Sequence, residues 1–167
     1  MEPGYIDGHH GEWLSTPEQF EDNARVFWNK GYAIHVHCTG DLGLELAVDT
    51  LEKMQDERPR FNHGFTIEHF GLSTPEQIFR LSKLGANISA NAYYVHELSD
   101  IYSNDSVGFE RASSMARVGT SFREGITTTL HSDFTMAPAQ PLMSMWVAVN
   151  LSLIHISEPT RPGKISY

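Results

Sequence analysis

The chain has 167 residues, 40% hydrophobic and 20% charged, with a formal net charge of -9. That length supports one domain with a sizeable core, and the composition excludes the disordered class. The negative charge and the lack of any basic run exclude nucleic acid as the main partner, and no run of about 18 apolar residues exists to span a membrane.

In chain order, the first element is a helix announced by Ser15-Thr16-Pro17-Glu18-Gln19. Thr16 is suited to cap it, Pro17 to its first position and Gln19 to close a capping box. Phe20, Ala24, Phe27 and Trp28 recur at helical spacing until Gly31. Residues 32–38 (YAIHVHC) follow as a strand. Asp41 is expected to cap a second helix with the stripe Leu44, Val48 and Leu51, ending near Pro59.

The pattern then recurs. Residues 65–70 (FTIEHF) predict a strand, and Ser73 to Gln77 repeat the STPEQ helix start, with a stop at Gly85. Two helices in equivalent places need the same cap, so the shared pentapeptide is no sequence repeat. Residues 87–94 (NISANAYY) form the third expected strand, followed by a polar loop. A helix is expected over 110–124, a fourth strand over 126–132 and a further helix from Pro141. This alternation implies βαβ units and a parallel sheet. A complete (β/α)8 barrel takes about 200 residues or more, so four strands imply half of one, or a small open α/β sheet.

From Leu151 the pattern changes. Residues 151–161 (LSLIHISEPTR) resemble the translation of a transposase sequencing adapter over their whole length. Residues 1–150 are therefore expected to form the domain, and residues 151–167 a non-native tail that bears on neither fold nor function. The opening residues show neither the basic nor the apolar region of a signal peptide. The single cysteine, Cys38, has no internal disulfide partner, and together these lean towards the cytoplasm.

Of nine histidines, eight precede residue 151, and several of these sit in apolar, β-branched runs where chemistry is to be sought. In a parallel barrel, catalytic groups lie at the C-terminal ends of strands. His37 stands near the end of YAIHVHC, His69 ends FTIEHF, and Asp133 follows ITTTLHS. Imidazole nitrogen and carboxylate oxygen suit zinc and similar divalent ions. A single strand histidine is more often a hydrogen-bonded core residue, and Ser-Asp is common where a strand turns. Three such groups at equivalent strand ends are harder to dismiss.

His35-Val36-His37-Cys38-Thr39-Gly40-Asp41, then Ile67-Glu68-His69, then Ser132-Asp133 resemble the amidohydrolase superfamily. They are most similar to its family-3 branch, whose strands typically read HxHxxGD, IEH and a final SD. The resemblance spans residues 1–150, and three motifs in order are more specific than any one. It implies the C-terminal half, strands five to eight, of a metal-dependent (β/α)8 barrel. It further implies a divalent metal, zinc in one or two ions, held by His37, His69 and Asp133. Asp133 is then the catalytic general base and acid. The implied reaction is hydrolysis of a carbon-nitrogen bond other than a peptide bond in a small molecule. The first-strand HxH and a fourth-strand ligand are not found in the sequence, so the chain by itself is expected to be inactive. An oligomer is compatible with all of this.

Strand parity puts His35 and His131 on the same face as His37 and Asp133. They are candidates for substrate contact or for hydrogen bonding within the sheet. Asn91 and Tyr93 are candidate pocket residues of the third strand. Glu68 and Cys38 are expected to face the helices. His9 and His10 lie in a glycine-rich stretch that is either part of the active-site face or solvated. Two rival readings remain: a non-catalytic α/β binding domain with structural histidines, and another barrel chemistry such as deamination.

Overall fold

A computed structural model describes residues 4–154. Its core is a four-stranded parallel sheet in the order β1-β2-β3-β4. The strands are His35–Cys38 (β1), Thr66–His69 (β2), Asn87–Asn91 (β3) and Thr128–His131 (β4). Each is shorter than its expected run, because hydrogen-bonded pairing stops where the chain turns at the sheet margins. Register is direct: His37 lies beside Glu68, His69 beside Ala90, and Asn91 beside His131.

Helices cover one face. Helix α1 (Pro17–Asn29) has the full capping box, with Thr16 accepting from the Gln19 amide and Gln19 answering to the Thr16 amide. Helix α2 (Asp41–Glu57) starts differently from expectation. Its N-cap is Gly40, which offers no side-chain cap. Asp41 is instead the first helical residue, and its carboxylate accepts from Arg111 at 2.6 Å. Helix α3 (Pro75–Leu84) repeats the α1 capping box through Thr74 and Gln77 and ends on Gly85 at φ 71°.

Val36, Cys38, Ile67, Ile88 and Ala90 point from the strands into this helical layer. There they meet Trp28, Leu44, Val48, Leu51, Ile78 and Leu81, all fully buried. Between α2 and α3, Arg80 bonds to Glu45, Asp49 and Glu52, holding three carboxylates of one helix face with one guanidinium. The Thr74 cap supports the same junction, since Gln77 also reaches the Asp41 carbonyl at 2.9 Å. Thr74→Ala should cost about 1 kcal/mol, read as a lowered midpoint in urea with an unchanged slope.

After β3 the structure departs from the expected pattern. Residues 92–94 do not continue the strand. Tyr93–Glu97 form a short helix, α4, because the Asn91 side chain turns back to accept from the Tyr93 amide at 3.1 Å. The expected polar loop is a run of tight turns: helix α5 (Ser99–Ile101), a π-helical turn Tyr102–Ser106 and helix α6 (Phe109–Ala112). The single helix expected over 110–124 is two, α6 and α7 (Val118–Arg123). Ala116 at φ 46° breaks them apart, and its amide is taken by the Gly71 carbonyl. Helix α8 (Pro141–Ile154) begins where expected and continues past Asn150, so the expected boundary at 150 does not coincide with its end. Residues 155–167 of the expected tail lie outside the described residues. No helix among the described residues is long and apolar enough to cross a membrane.

Candidate metal and catalytic site

The sheet face away from the helices carries polar side chains. Alternation along β1 exposes His35 and His37 and buries Val36 and Cys38. Cys38 sits in the helical layer as expected, and burial, helped by the nearby Asp41 charge, pushes its thiol up to about 12.

Glu68 corrects the expectation drawn from parity. It does not face a helix. Its side chain lies on the open face, 2.6 Å from His35 Nδ1 and 3.9 Å from His131 Nε2. The strand is paired in register with His37 beside Glu68, so both point the same way. Burial pushes the Glu68 carboxyl up. Hydrogen bonds from His35 and Ser89, with the charges of His35 and His131, outweigh this and hold it below its ordinary value.

By alternation His69 would then point into the helices. It escapes through its backbone. His69 has φ 69° and Phe70 φ 52°, and the Phe70 amide closes back on the Glu68 carbonyl at 2.9 Å. This three-residue turn around a left-handed residue is a strained conformation, of a kind that clusters at functional sites. It brings the His69 ring to 4.4 Å from His37 and 5.0 Å from His131, centroid to centroid. Asp133 has φ 52°, also left-handed, and its carboxylate lies 3.9 Å from His69 Nδ1. Its amide donates to His131 Nδ1 at 3.1 Å.

The structure therefore brings together His37, His69, His131 and Asp133 at the C-terminal ends of β1, β2 and β4. Tyr94 joins them from α4, its ring 6.3 Å from His69. Its hydroxyl is pushed up to about 12, first by burial and then by Tyr102 and Asp133. Burial, reinforced by His37 and His131, holds the His69 ring below its ordinary value against the pull of Asp133 and Glu68. That favours the neutral imidazole, the form that binds a metal.

Asn91 and Tyr93 lie apart from this open cluster in exposure. Both are buried, and the Asn91 Nδ2 and the Tyr93 hydroxyl have no hydrogen-bond partner. His10 is placed with His37 on a cavity of about 480 Å³, which Trp13, Asp41 and Arg111 also line. His9 is exposed, with its Nδ1 accepting from the Gly11 amide. Glu68, Ser89 and Tyr94 were not expected here. For Glu68 the signal hidden from periodicity is the turn at His69, which lets two neighbouring residues both reach the open face.

The donor set suits a divalent cation in kind: imidazoles and a carboxylate, with His69 Nδ1 buried and without a hydrogen-bond partner. In number it is short. Among the described residues, no three His, Cys, Asp or Glu side chains are disposed to hold a metal ion by themselves.

A family model described as the amidohydrolase family matches residues 6–164. The chain belongs to the amidohydrolase family. Two solved structures agree with this. An uncharacterized metal-dependent hydrolase from Pyrococcus furiosus shares 28% identity at a TM-score of 0.73, covering 89% of this chain and 30% of that one. An uncharacterized metal-dependent hydrolase from Pyrococcus horikoshii OT3 shares 24% at 0.71, covering 89% and 29%, and speaks for the fold alone. This amidohydrolase-family chain thus spans about 30% of the length of the solved structures it matches. No curated protein matches it. Its parallel sheet is part of the family's (β/α)8 barrel, and the open face of that sheet is the one a barrel turns to its axis.

Proposed function

We propose that these residues supply strands five to eight of a hydrolase that cleaves carbon-nitrogen bonds other than peptide bonds in small molecules. The substrates would be amides, cyclic amides or N-formyl compounds. The observation that carries the reading is the convergence of His37, His69 and Asp133 at the C-terminal end of the sheet, two of them through left-handed backbone. His37 and His69 would hold a divalent ion, zinc in one or two copies, with Asp133 beside it. The remaining ligands would come from barrel strands that this chain lacks.

When bound, such an ion polarises a carbonyl and makes water more acidic. Asp133 does the proton work. Its carboxylate takes a proton from the attacking water as the oxygen bonds to the carbonyl carbon, then gives that proton to the nitrogen as the C–N bond breaks. His35 and His131 border the same face and are proposed to contact substrate polar groups, with Asn91 and Tyr93 behind them. A cytoplasmic location fits the single buried thiol.

The test is an assay of the complete enzyme, stripped of metal and reloaded with zinc. The substrates are simple amides, cyclic amides, N-formyl amines and a heteroaromatic amine. Metal-dependent cleavage in one of the first three classes is expected, read as a freed amine or ammonia from an amide or N-formyl amine and as the ring-opened amino acid from a cyclic amide. Ammonia released from the heteroaromatic amine alone would replace this reading with deamination. Equal activity with and without metal would contradict both.

A further inference from the structure

Glu68 is central on the open face, yet the proton transfer above does not use it. Its two oxygens face two different histidines, His35 on the adjacent β1 and His131 on β4, two strands away. Oε1 is 2.6 Å from His35 Nδ1, and Oε2 is 3.9 Å from His131 Nε2. Ser89, on β3, also hydrogen-bonds to the same carboxylate.

An ionised carboxylate has no proton to donate, so at 2.6 Å the hydrogen must belong to His35 Nδ1. In the neutral ring this leaves Nε2 of His35 with a free lone pair. His131 is constrained from the other side. The Asp133 amide can only donate, so His131 Nδ1 carries the lone pair and Nε2 the hydrogen. That Nε2 is buried and has no hydrogen-bond partner, and Glu68 Oε2 stands across from it. The two histidines are thus held in opposite tautomers around one carboxylate.

We infer that Glu68 is a positioning residue that fixes His35 as the Nδ1–H tautomer, while the Asp133 amide fixes His131 as the Nε2–H tautomer. Through Glu68, His35 presents Nε2 to the barrel axis as a hydrogen-bond acceptor, suited to an N–H or O–H of a bound small molecule. The tautomers follow from this structure alone, whereas the service of His35 to substrate rests on the proposed hydrolase reading. A carboxylate behind a histidine sets ring orientation and tautomer in many sites, which is why such partners matter beyond their own contacts.

The test is long-range proton-nitrogen correlation spectroscopy on the full chain labelled with ¹⁵N-histidine, at a pH where the rings are neutral. His35→Gln and His131→Gln assign the signals. Wild-type protein should show His35 protonated on Nδ1 and His131 on Nε2. Glu68→Ala should lose the single Nδ1–H form of His35, giving a mixture, while His131 keeps its form through the Asp133 amide. Glu68→Gln, whose amide oxygen still accepts, should restore the Nδ1–H form of His35. A wild-type His35 carrying its hydrogen on Nε2 would overturn the inference whether or not the variants fold. So would an Nδ1–H signal unchanged in Glu68→Ala. None of these readouts depends on turnover or metal, so failure of the hydrolase assay and failure of this inference are distinguishable.

Discussion

Replacing Asp133 with Asn is expected to lower turnover of the complete hydrolase by about 10²- to 10⁴-fold, the range typical of losing a positioned proton-transfer group. The fold should barely change. Asp133 occupies left-handed backbone at φ 52°, and Asn is among the few residues that adopt it readily. The amide that bonds to His131 belongs to the backbone and survives the substitution. The side chain is partly exposed and makes no close hydrogen bond that Asn would forfeit, its nearest imidazole being 3.9 Å away. Asp133→Val would confuse the result, because a branched side chain is strained at that φ. Steady-state kinetics beside a thermal melt separate the two effects. A variant with the native melt and normal kcat would remove Asp133 from the mechanism.

The second large effect is structural. Gly71→Ala should destabilise the domain by about 3 kcal/mol, at the upper end of overpacking costs. A Cβ placed on Gly71 would sit 2.6 Å from the Thr39 carbonyl oxygen, and 3.3 Å from its Cα. Those are backbone atoms, so no rotamer change relieves the clash. The same carbonyl accepts from the Leu72 amide at 2.9 Å, and the Gly71 carbonyl accepts from Ala116 at 2.8 Å. Moving Gly71 therefore loosens the loop after β1 and the break between α6 and α7 together. Gly71 also follows the left-handed pair His69 and Phe70, so the shift reaches the site. Denaturant unfolding measures the loss, and a change under 1 kcal/mol would mean that the loops part without cost.

Much of this architecture was legible from local chemistry. The two STPEQ helix starts are capping boxes in the structure, because Thr, Pro and Gln satisfy orphan amides without tertiary help. The parallel order of four strands followed from their alternation with helices. What local pattern could not show was where the backbone abandons its period. Parity assigned Glu68 to the helices, whereas its register beside His37 puts it on the open face and the left-handed turn brings the His69 ring there too. The third strand stops at Asn91 because a side chain caps the turn, although Ala92 to Tyr94 would suit a strand. Helix 110–124 divides because Gly71, distant in sequence, claims the Ala116 amide. The Asp41–Arg111 pair likewise joins elements far apart in the chain. Each departure depends on a contact or a dihedral angle that periodicity does not encode.

The proposed metal site of His37 and His69 is read from zinc affinity. The measurement compares the complete enzyme with its His37→Ala/His69→Ala variant, titrated against a competing chelator, with circular dichroism confirming that both are folded. Such a site predicts that the variant loses affinity by more than the 10- to 100-fold typical of losing an outer-shell partner. Unchanged affinity and stoichiometry in a folded variant would contradict it, and the histidines would then be structural.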